Sequence, residues 1–380
     1  MRAVIGLLLV FFCVSQGQLL SNVTKIIQSE GYPAEIHKVQ TEDGYILTIN
    51  RVPHGKASTD APKGAVFFQH GLTDSAFGGV CNPPPEGLAY FFADAGFDVW
   101  LGNNRGNGIS MEHIKYTPSD VEFWDFTYDD MAQYDLPAQL DYIIKHTGQE
   151  KIPYIGHSQG TIQAFAGFLD PSVAAKASIF IAMAPVAWVK HIDVTIMKVL
   201  AAIDTATLGE LLGIHEVYLP SLIHKLTPYL CELDPESCEF TMIAATGDFT
   251  YKNKTQFPFY VLNEPFPTSV KNLIHWSQGI RENVFQKFDY GDIGNLERYH
   301  QLRPPAYDLK KFPTTLPVAL FTGSIDALAD PEDVKQIVEN LPTKPFIHNE
   351  PTFGHLDFTL GYLANKRVYS LALKLIEANR

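Results

Sequence analysis

Short apolar runs alternate with longer stretches of helical periodicity along most of the chain. The apolar runs predict buried strands at 65–68, 97–101, 152–155, 177–183, 317–322 and 346–348. The amphipathic stretches predict helices at 88–95, 135–145, 158–169, 332–340 and 362–378. Such alternation is typical of an α/β fold, in which helices cover both faces of a mostly parallel sheet.

Two regions depart from this alternation. Residues 36–40 and 45–52 flank Thr41-Glu42-Asp43-Gly44, a turn that predicts an antiparallel hairpin. Between 185 and 312 the alternation stops, and helical stretches such as 192–212 are separated by proline-rich loops. A structureless loop of that length is implausible in a compact domain. We therefore predict a mainly helical cap at 185–312, inserted into a core formed by 18–184 and 313–380.

The N-terminus has the features of a secretory signal peptide. Arg2 precedes an apolar run at 3–14, and small residues occupy positions −3 and −1 of a cut after Gly17. As a helix this run would cover about 18 Å, too short for a bilayer core of about 30 Å. We predict a signal peptide at 1–17, no transmembrane segment, and a protein that is secreted or lysosomal.

The predicted secretory route bears on two further features of the sequence, its N-glycosylation sequons and its cysteines. Asn22 and Asn253 begin N-x-T sequons and are predicted glycosylation sites. Cys13 is removed with the signal peptide, which leaves one disulfide and one odd thiol as the expected state of the mature chain. The three remaining cysteines are Cys81, Cys231 and Cys238.

Composition and missing motifs exclude several classes of function. The net charge is −13, whereas a nucleic-acid-binding protein usually carries an excess of basic residues. The chain has 46% hydrophobic and 19% charged residues, which is typical of a globular protein. The sequence contains no H-E-x-x-H and no paired C-x-x-C motif, so no catalytic metal is predicted. Gly106-Asn107-Gly108 lacks the third glycine of a dinucleotide loop, and no phosphate-binding G-x-x-x-x-G-K motif occurs. No cofactor is predicted.

A candidate nucleophile lies in Gly156-His157-Ser158-Gln159-Gly160, which matches G-x-S-x-G. A predicted strand precedes this motif and a predicted helix follows it, as in a nucleophile elbow that exposes Ser158 above the carboxyl edge of a sheet. The two glycines are expected because such a tight turn leaves no room for β-carbons.

A serine nucleophile needs a base and an orienting acid, which in this fold follow it in the order acid, then histidine. Asp326 follows the next-to-last predicted strand, and His355 follows the last one. Asp330 is better suited to a helix cap and Asp333 to a first helical turn, while His348 lies on the strand itself. We predict Asp326 as the acid and His355 as the base.

An acyl-transfer site also needs two backbone N–H groups that stabilise the oxyanion. One should come from Gln159, the residue after the nucleophile. The other should come from His70-Gly71-Leu72, which follows an early strand, and we predict Leu72 as that donor.

The mature chain resembles the acid lipase family, which includes gastric lipase and lysosomal acid lipase. The resemblance is carried by segments spread over most of the chain, namely 31–35, 41–47, 70–72, 93–103, 105–107, 134–137, 156–160 and 354–358. It implies an α/β-hydrolase core, a cap with a lid, no cofactor, and ester hydrolysis of neutral lipids. By position, it implies the same triad and oxyanion residues as the motif reasoning.

The chain departs from the family at 77–85, beside the predicted oxyanion loop, and at Asn104. Within the cap, we predict a lid at 219–240 with four apolar contact residues. These are Leu222, Ile223, Leu226 and Tyr229. Cys231 and Cys238 enclose six residues there, and the family also has a cysteine pair in this region. We predict their disulfide, with Cys81 as the alternative partner.

The functional hypothesis is a serine lipase that forms an acyl-enzyme on Ser158. Its partner would be a neutral lipid at a lipid–water interface, either triglyceride or steryl ester. Two alternatives remain open at this point, an esterase for smaller soluble esters and a non-catalytic lipid-binding or storage protein.

Overall fold

The computed structural model describes residues 22–202, 215–217 and 234–380. The predicted signal peptide at 1–17 lies outside these residues. So do most of the predicted lid and its four apolar contact residues, Leu222, Ile223, Leu226 and Tyr229.

A mostly parallel sheet forms the centre of the molecule. Its strands are β1 (Glu35–Gln40), β2 (Tyr45–Val52), β3 (Ala65–Gln69), β4 (Asp98–Leu101), β5 (Glu112–His113), β6 (Ile152–His157), β7 (Ala177–Met183), β10 (Val318–Gly323) and β11 (Phe346–Glu350). A separate ladder of two residues each pairs β8 (Glu216–Val217) with β9 (Thr268–Ser269). The main order is β1-β2-β4-β3-β6-β7-β10-β11, with β5 beside β2, and from β4 to β11 all neighbours are parallel. The predicted hairpin is the antiparallel pair β1–β2.

Helices pack on both faces of this sheet. Those of seven or more residues are α1 (Val23–Ser29), α2 (Leu88–Asp94), α3 (Leu136–Thr147), α4 (Gln159–Gly167), α5 (Thr195–Ala202), α6 (Pro235–Thr246), α7 (Phe257–Asn263), α8 (Val270–Glu282), α9 (Gly291–Tyr299), α10 (Pro331–Asn340) and α11 (Ser370–Ala378). Short helical turns lie at Tyr128–Asp130 and Pro171–Ala174, and π-helical turns precede α3 at Met131–Asp135 and α11 at Asn365–Tyr369. None of the described helices is both long and apolar enough to cross a bilayer. The predicted α/β architecture, with its mostly parallel sheet covered by helices, is confirmed.

Alternation of side chains along the strands divides the core into two layers. In β3, Ala65 and Phe67 belong to one apolar cluster, whereas Val66 and Phe68 belong to the cluster on the opposite face. Successive side chains of a strand point to opposite faces, so a strand covered on both sides must be apolar throughout. This is why the central strands read as continuous apolar runs.

The last helix begins later than the sequence pattern predicts. Residues 362–363 form a turn, and the backbone N–H of Tyr362 donates to the carbonyl of Tyr251 at 3.0 Å. That N–H bonds to another segment of the chain, and regular α-helix begins only at Ser370, after the π-helical turn. The predicted start at 362 is therefore wrong.

The segment 185–312 connects β7 to β10, which are neighbours in the sheet. Within its described part, 185–202, 215–217 and 234–312, helices α5 to α9 predominate and no strand joins the main sheet. The predicted helix at 192–212 is observed as α5 from Thr195 to Ala202, and residues 203–212 of the prediction lie outside the described residues. The domain boundaries at 185 and 312 stay a prediction.

A buried ion pair joins the β1–β2 turn to the start of α3. The Arg105 guanidinium donates to Asp135 at 2.6 and 2.9 Å and to Asp43 at 3.0 Å. It also lies 4.0 Å from the ring centre of Tyr45. Burial raises the pKa of Asp135 to about 6, even though Arg105 favours its ionised form.

Loss of this arginine should destabilise the fold strongly. Arg105→Met leaves the buried Asp135 carboxylate without a counter-charge, which should lower the free energy of unfolding by about 3–5 kcal/mol in urea denaturation. Lys176→Met, which removes the 2.7 Å surface pair with Asp141, is the control and should cost at most about 1 kcal/mol. Equal losses in the two variants would contradict a structural role for the buried pair.

Candidate active site

Ser158 lies at a strained turn between β6 and α4. Its backbone has φ 51° and ψ −116°, a left-handed conformation that costs energy for a residue with a β-carbon. A β-carbon on Gly156 would come within 2.7 Å of the Gly160 carbonyl oxygen, and one on Gly160 would collide with the carbonyl oxygen of Gln69. Only glycine fits at both positions, as the motif predicts for a nucleophile elbow.

The structure places Asp326 and His355 in direct contact. His355 Nδ1 lies 3.0 Å from each carboxylate oxygen of Asp326, and both side chains are buried. Burial alone would raise the pKa of Asp326. The positive charge that His355 can carry, and then the hydrogen bonds to the carboxylate, outweigh burial and lower that pKa below its usual value. The backbone N–H groups of Leu328 and Ala329 also donate to this carboxylate, at 2.9 and 2.8 Å. Asp326 is thus held ionised beside the imidazole.

His157 links Ser158 to His355. It adjoins Ser158 in sequence, its Nε2 donates to the backbone carbonyl of His355 at 3.1 Å, and the two imidazole rings lie 5.0 Å apart. Burial, and then the neighbouring His355, lower the pKa of His157 to about 4. At neutral pH a neutral imidazole therefore lies between the elbow and the His355 loop. The motif G-x-S-x-G allows any residue at this position, so the sequence alone did not single out His157. Its burial becomes visible only in the folded structure.

The predicted oxyanion loop lies against Ser158. A β-carbon on Gly71 would approach Ser158 Cβ to 3.1 Å and Ser158 Oγ to 3.6 Å, so the loop backbone adjoins the hydroxyl directly. Leu72 follows Gly71, and Gln159 begins α4 on the other side of Ser158. The structure thus brings both predicted donor residues next to the predicted nucleophile.

His70 holds that loop in place. Its Nδ1 donates to the Gly71 carbonyl at 2.8 Å, and its Nε2 accepts from the Asn104 backbone N–H and the Asn107 side chain, each at 3.1 Å. Burial lowers the pKa of His70, which favours the neutral ring that this pattern needs. Asn104, where the chain departs from the family, thus supports the oxyanion loop through its backbone.

The loop of His355 is fastened by Asp357, a residue the motif reasoning did not single out. The buried Asp357 carboxylate accepts from the backbone N–H groups of Gly354, Thr250 and Tyr251 at 2.8, 2.8 and 2.7 Å. The segment 250–251 falls within the predicted cap, so Asp357 bonds the histidine loop to the backbone of that predicted domain. The sequence feature that could have identified Asp357 is its position two residues after His355, within the segment Gly354–Phe358.

The rival acids and the rival histidine have other contacts. Asp330 caps α10 by accepting from the Glu332 backbone N–H at 2.8 Å, and Asp333 binds His191 Nδ1 at 2.7 Å. His348 lies 2.8 Å from Glu350 on β11. None of these contacts involves Ser158.

The predicted disulfide cannot be placed. Cys231 lies outside the described residues, and only the backbone of Cys238, within α6, is described. Cys81, the alternative partner, is a buried free thiol that donates to the carbonyls of Gly78 and Thr359 at 3.4 and 3.5 Å. The pairing of Cys231 with Cys238 stays a prediction.

The sequons of the described chain lie at the surface or near it. Asn22 is exposed and caps α1, accepting from the Lys25 backbone N–H at 3.1 Å. Asn253 is half-buried, and its side chain accepts from the Thr255 hydroxyl at 2.7 Å. Glycosylation at both stays a prediction.

One cluster has the donor types of a metal site. Side-chain atoms of Glu35, His37 and His146 lie within 4.8 Å of one another. An Arg51 guanidinium nitrogen, however, lies 2.7 Å from Glu35 and 3.2 Å from His146. The place a cation would take therefore already holds a positive charge, and this cluster does not fit a metal.

Comparison with known proteins identifies relatives that align with more than 90% of the chain. A family model described as a partial alpha/beta-hydrolase lipase region matches residues 23–82, and one for the alpha/beta hydrolase fold matches 64–207. The chain is 38% identical to gastric triacylglycerol lipase of Bos taurus, over 94% of this chain and 92% of that protein. It is also 38% identical to lipase member K of Homo sapiens, over 94% and 90% respectively. Lipase lipl-1 of Caenorhabditis elegans shows 38% identity over 93% of this chain and 90% of that protein.

Solved structures agree on the fold. A crystal structure described as a putative lipase from Sulfolobus solfataricus superposes with a TM-score of 0.61 at 18% identity, covering 91% of this chain and 94% of that one. A soluble variant of monoglyceride lipase from Saccharomyces cerevisiae gives 0.52 at 12% identity, covering 91% and 97%. These likenesses concern the fold of the chain.

The buried His157 should lower the free energy of unfolding as the pH falls below about 6.5. Its pKa is lowered from 6.5 to about 4 in the folded chain, so between these values the unfolded chain binds more protons. The substitution His157→Gln removes the group that takes up this proton. The free energy of unfolding, measured by urea denaturation, should therefore fall by about 2 kcal/mol less in this variant than in the wild type between pH 7 and pH 4.5. An unchanged loss in His157→Gln would contradict the neutral state of this ring.

Proposed function

Given that the chain belongs to the acid lipase family of gastric triacylglycerol lipase, and is thus a carboxylic ester hydrolase, we propose that it is a serine lipase acting on neutral lipids. The observation that carries the proposal is the buried Asp326–His355 pair, whose histidine carbonyl accepts a hydrogen bond from His157, the residue before the strained turn at Ser158. The proposed substrates are triglycerides, steryl esters or both.

The proposed mechanism has two acyl-transfer steps. His355 takes the proton of Ser158 as the serine oxygen attacks the ester carbonyl, and the backbone N–H groups of Leu72 and Gln159 stabilise the oxyanion. His355 then protonates the leaving alcohol, which departs and leaves the acyl group on Ser158. Water activated by His355 releases the fatty acid and restores the serine. Asp326 holds the imidazole and stabilises its cationic form.

Two arguments support a lipid substrate over a small soluble ester. Relatives at 38% identity include a gastric triacylglycerol lipase, and the aligned region covers 94% of this chain. A long segment between β7 and β10 is also available to cover an apolar entrance, which a protein in water cannot leave widely exposed. We propose that this segment, 185–312, is a cap domain and that 219–240 is its lid.

We also propose that the enzyme follows the secretory route, as a secreted or lysosomal protein. The support is the signal-peptide pattern at 1–17 and the two sequons. N-terminal sequencing of the protein secreted from eukaryotic cells tests this, with Gln18 expected as the first residue. Retention of the first 17 residues would contradict it.

The triad can be tested by matched substitutions. Ser158→Ala should lower kcat about 10⁶-fold and abolish labelling by a fluorophosphonate, because the attacking oxygen is gone. Asp326→Asn should lower kcat about 10⁴-fold through a misoriented imidazole. Asp330→Asn, on a rival carboxylate four residues away, is the control and should leave kcat unchanged. Near-normal turnover in Ser158→Ala, or labelling of another residue, would contradict the assignment.

The substrate class can be tested on emulsions. The purified protein is assayed on emulsified triolein, on emulsified cholesteryl oleate and on soluble 4-nitrophenyl butyrate between pH 4 and 8. Activity on either emulsion above that on the soluble ester supports a lipase. Activity confined to the soluble ester would indicate an esterase, and no activity without labelling of Ser158 would indicate a binding protein.

The predicted disulfide should affect the lid more than the triad. Closing a loop of six residues should stabilise it by about 2–3 kcal/mol in the chain-entropy model. Replacing Cys231 and Cys238 by serine should therefore weaken hydrolysis of emulsified lipid more than that of a soluble short-chain ester. Cys81→Ser is the control, because Cys81 is a free thiol. Equal losses on both substrates would contradict the lid.

A further inference from the structure

We propose that Trp276 and Asn272, both on α8, are positioning residues that set the oxyanion N–H of Gln159 through its side chain. The inference rests on the proposed function, since it concerns the same site. It assigns part of the active-site geometry to a helix of the predicted cap, which supplies no member of the triad.

The contact is a hydrogen-bonded clamp on one oxygen atom. Gln159 Oε1 accepts from the indole Nε1–H of Trp276 at 2.9 Å and from the side-chain amide of Asn272 at 2.8 Å. On the other side, Gln159 Nε2 donates to the sulfur of Met131 at 3.5 Å. All four residues are buried, with 0–3% of their surface exposed. The side chain is therefore bonded on both sides and has no contact with bulk water.

The orientation of the Gln159 amide follows from chemistry. An indole N–H is only a donor, so the group that faces it must be the amide oxygen. The Asn272 amide must then present its nitrogen to the same oxygen. Leaving a buried indole or amide unpaired costs more than the bond itself contributes, so alternative rotamers of Gln159 are disfavoured.

α8 is itself anchored to the core near this clamp. Ser269 caps the helix by accepting from the Asn272 backbone N–H at 2.9 Å, and its hydroxyl donates to the Phe126 carbonyl at 2.6 Å. One turn later, His275 stacks on Tyr128, with ring centres 3.8 Å apart and planes at 9°. The donors that hold Gln159 thus belong to a helix fixed to the segment that also supplies Met131.

The clamp affects the backbone N–H of Gln159, the residue directly after the proposed nucleophile. Gln159 is the first residue of α4, so no preceding helical turn restrains it. Clamping its side chain restricts rotation of the adjoining backbone, and an oxyanion donor works only if it points at the developing charge. The clamp should therefore act on the transition state and not on substrate binding.

Trp276→Phe removes the indole N–H and keeps an aromatic ring. We expect kcat on 4-nitrophenyl butyrate to fall about tenfold with KM unchanged, because acylation and deacylation both pass through an oxyanion. Inhibition by an alkylboronic acid, which forms a tetrahedral adduct with the serine, should weaken by the same factor. Trp124→Phe is the matched control: Trp124 is equally buried and its Nε1 donates to the Pro118 carbonyl at 2.9 Å. It should leave kcat unchanged.

A double-mutant cycle separates positioning from general packing. Gln159→Met keeps the backbone N–H but removes the oxygen that accepts both bonds. In this background Trp276→Phe should cause no further loss of kcat, because its effect passes through the missing oxygen. Asn272→Leu should behave in the same way, and replaces Trp276→Phe in the cycle if that variant does not fold.

The possible outcomes are distinct. A tenfold loss that disappears in the Gln159→Met background supports the clamp. A loss that is equal in both backgrounds, or no larger than that of Trp124→Phe, overturns it while the proposed function stands. A wild-type protein that hydrolyses no ester and is not labelled by the fluorophosphonate overturns both.

Discussion

The tight turn at Ser158 is the constraint on which the rest of the site depends. Its left-handed backbone is stable only because β6 delivers the chain at the sheet edge and α4 carries it away at once. The turn also requires the backbone of Gly160 to pass against that of Gln69, at the end of β3. Parallel β3 and β6 therefore deliver the predicted oxyanion loop and Ser158 to the same edge of the sheet.

Four buried side chains of the site differ in charge. They are Asp326, His70, His157 and His355. The positive charge that His355 can carry, together with hydrogen bonds, keeps Asp326 ionised against the cost of burial, while burial keeps His70 and His157 neutral. The neutral rings serve as hydrogen-bonding groups that join loops, and His355 alone is paired with a buried carboxylate among these histidines. A cationic imidazole at His157 would repel the positive charge that His355 takes on when it accepts the serine proton in the proposed mechanism, so a neutral His157 is compatible with that role.

Sequence reasoning predicted the fold and the proximity of Asp326 to His355, because both depend on patterns that are local in the chain. The order of strands and helices follows from apolar periodicity, and each site residue follows a strand. The clamp on Gln159 could not be predicted, because Trp276 and Asn272 lie more than 100 residues away and carry no motif. His157 and Asp357 stood inside recognised motifs, but their roles depend on bonds to distant backbone. The start of the last helix was missed for the same reason, since Tyr362 bonds to Tyr251.

The placement of the long segment between β7 and β10 has a consequence for how such proteins diversify. These strands are hydrogen-bonded neighbours, so the chain leaves the sheet and returns to it within one strand spacing. Loop-closure entropy grows only slowly with length, so an insert at this point can lengthen, shorten or be exchanged with little cost to the sheet. Its freedom is limited where it bonds to the site, at Asp357 and Gln159, and where α8 is anchored to Phe126 and Tyr128. An exchanged insert would have to reproduce those contacts, and also apolar packing such as that of Val189 and Trp276 in the core.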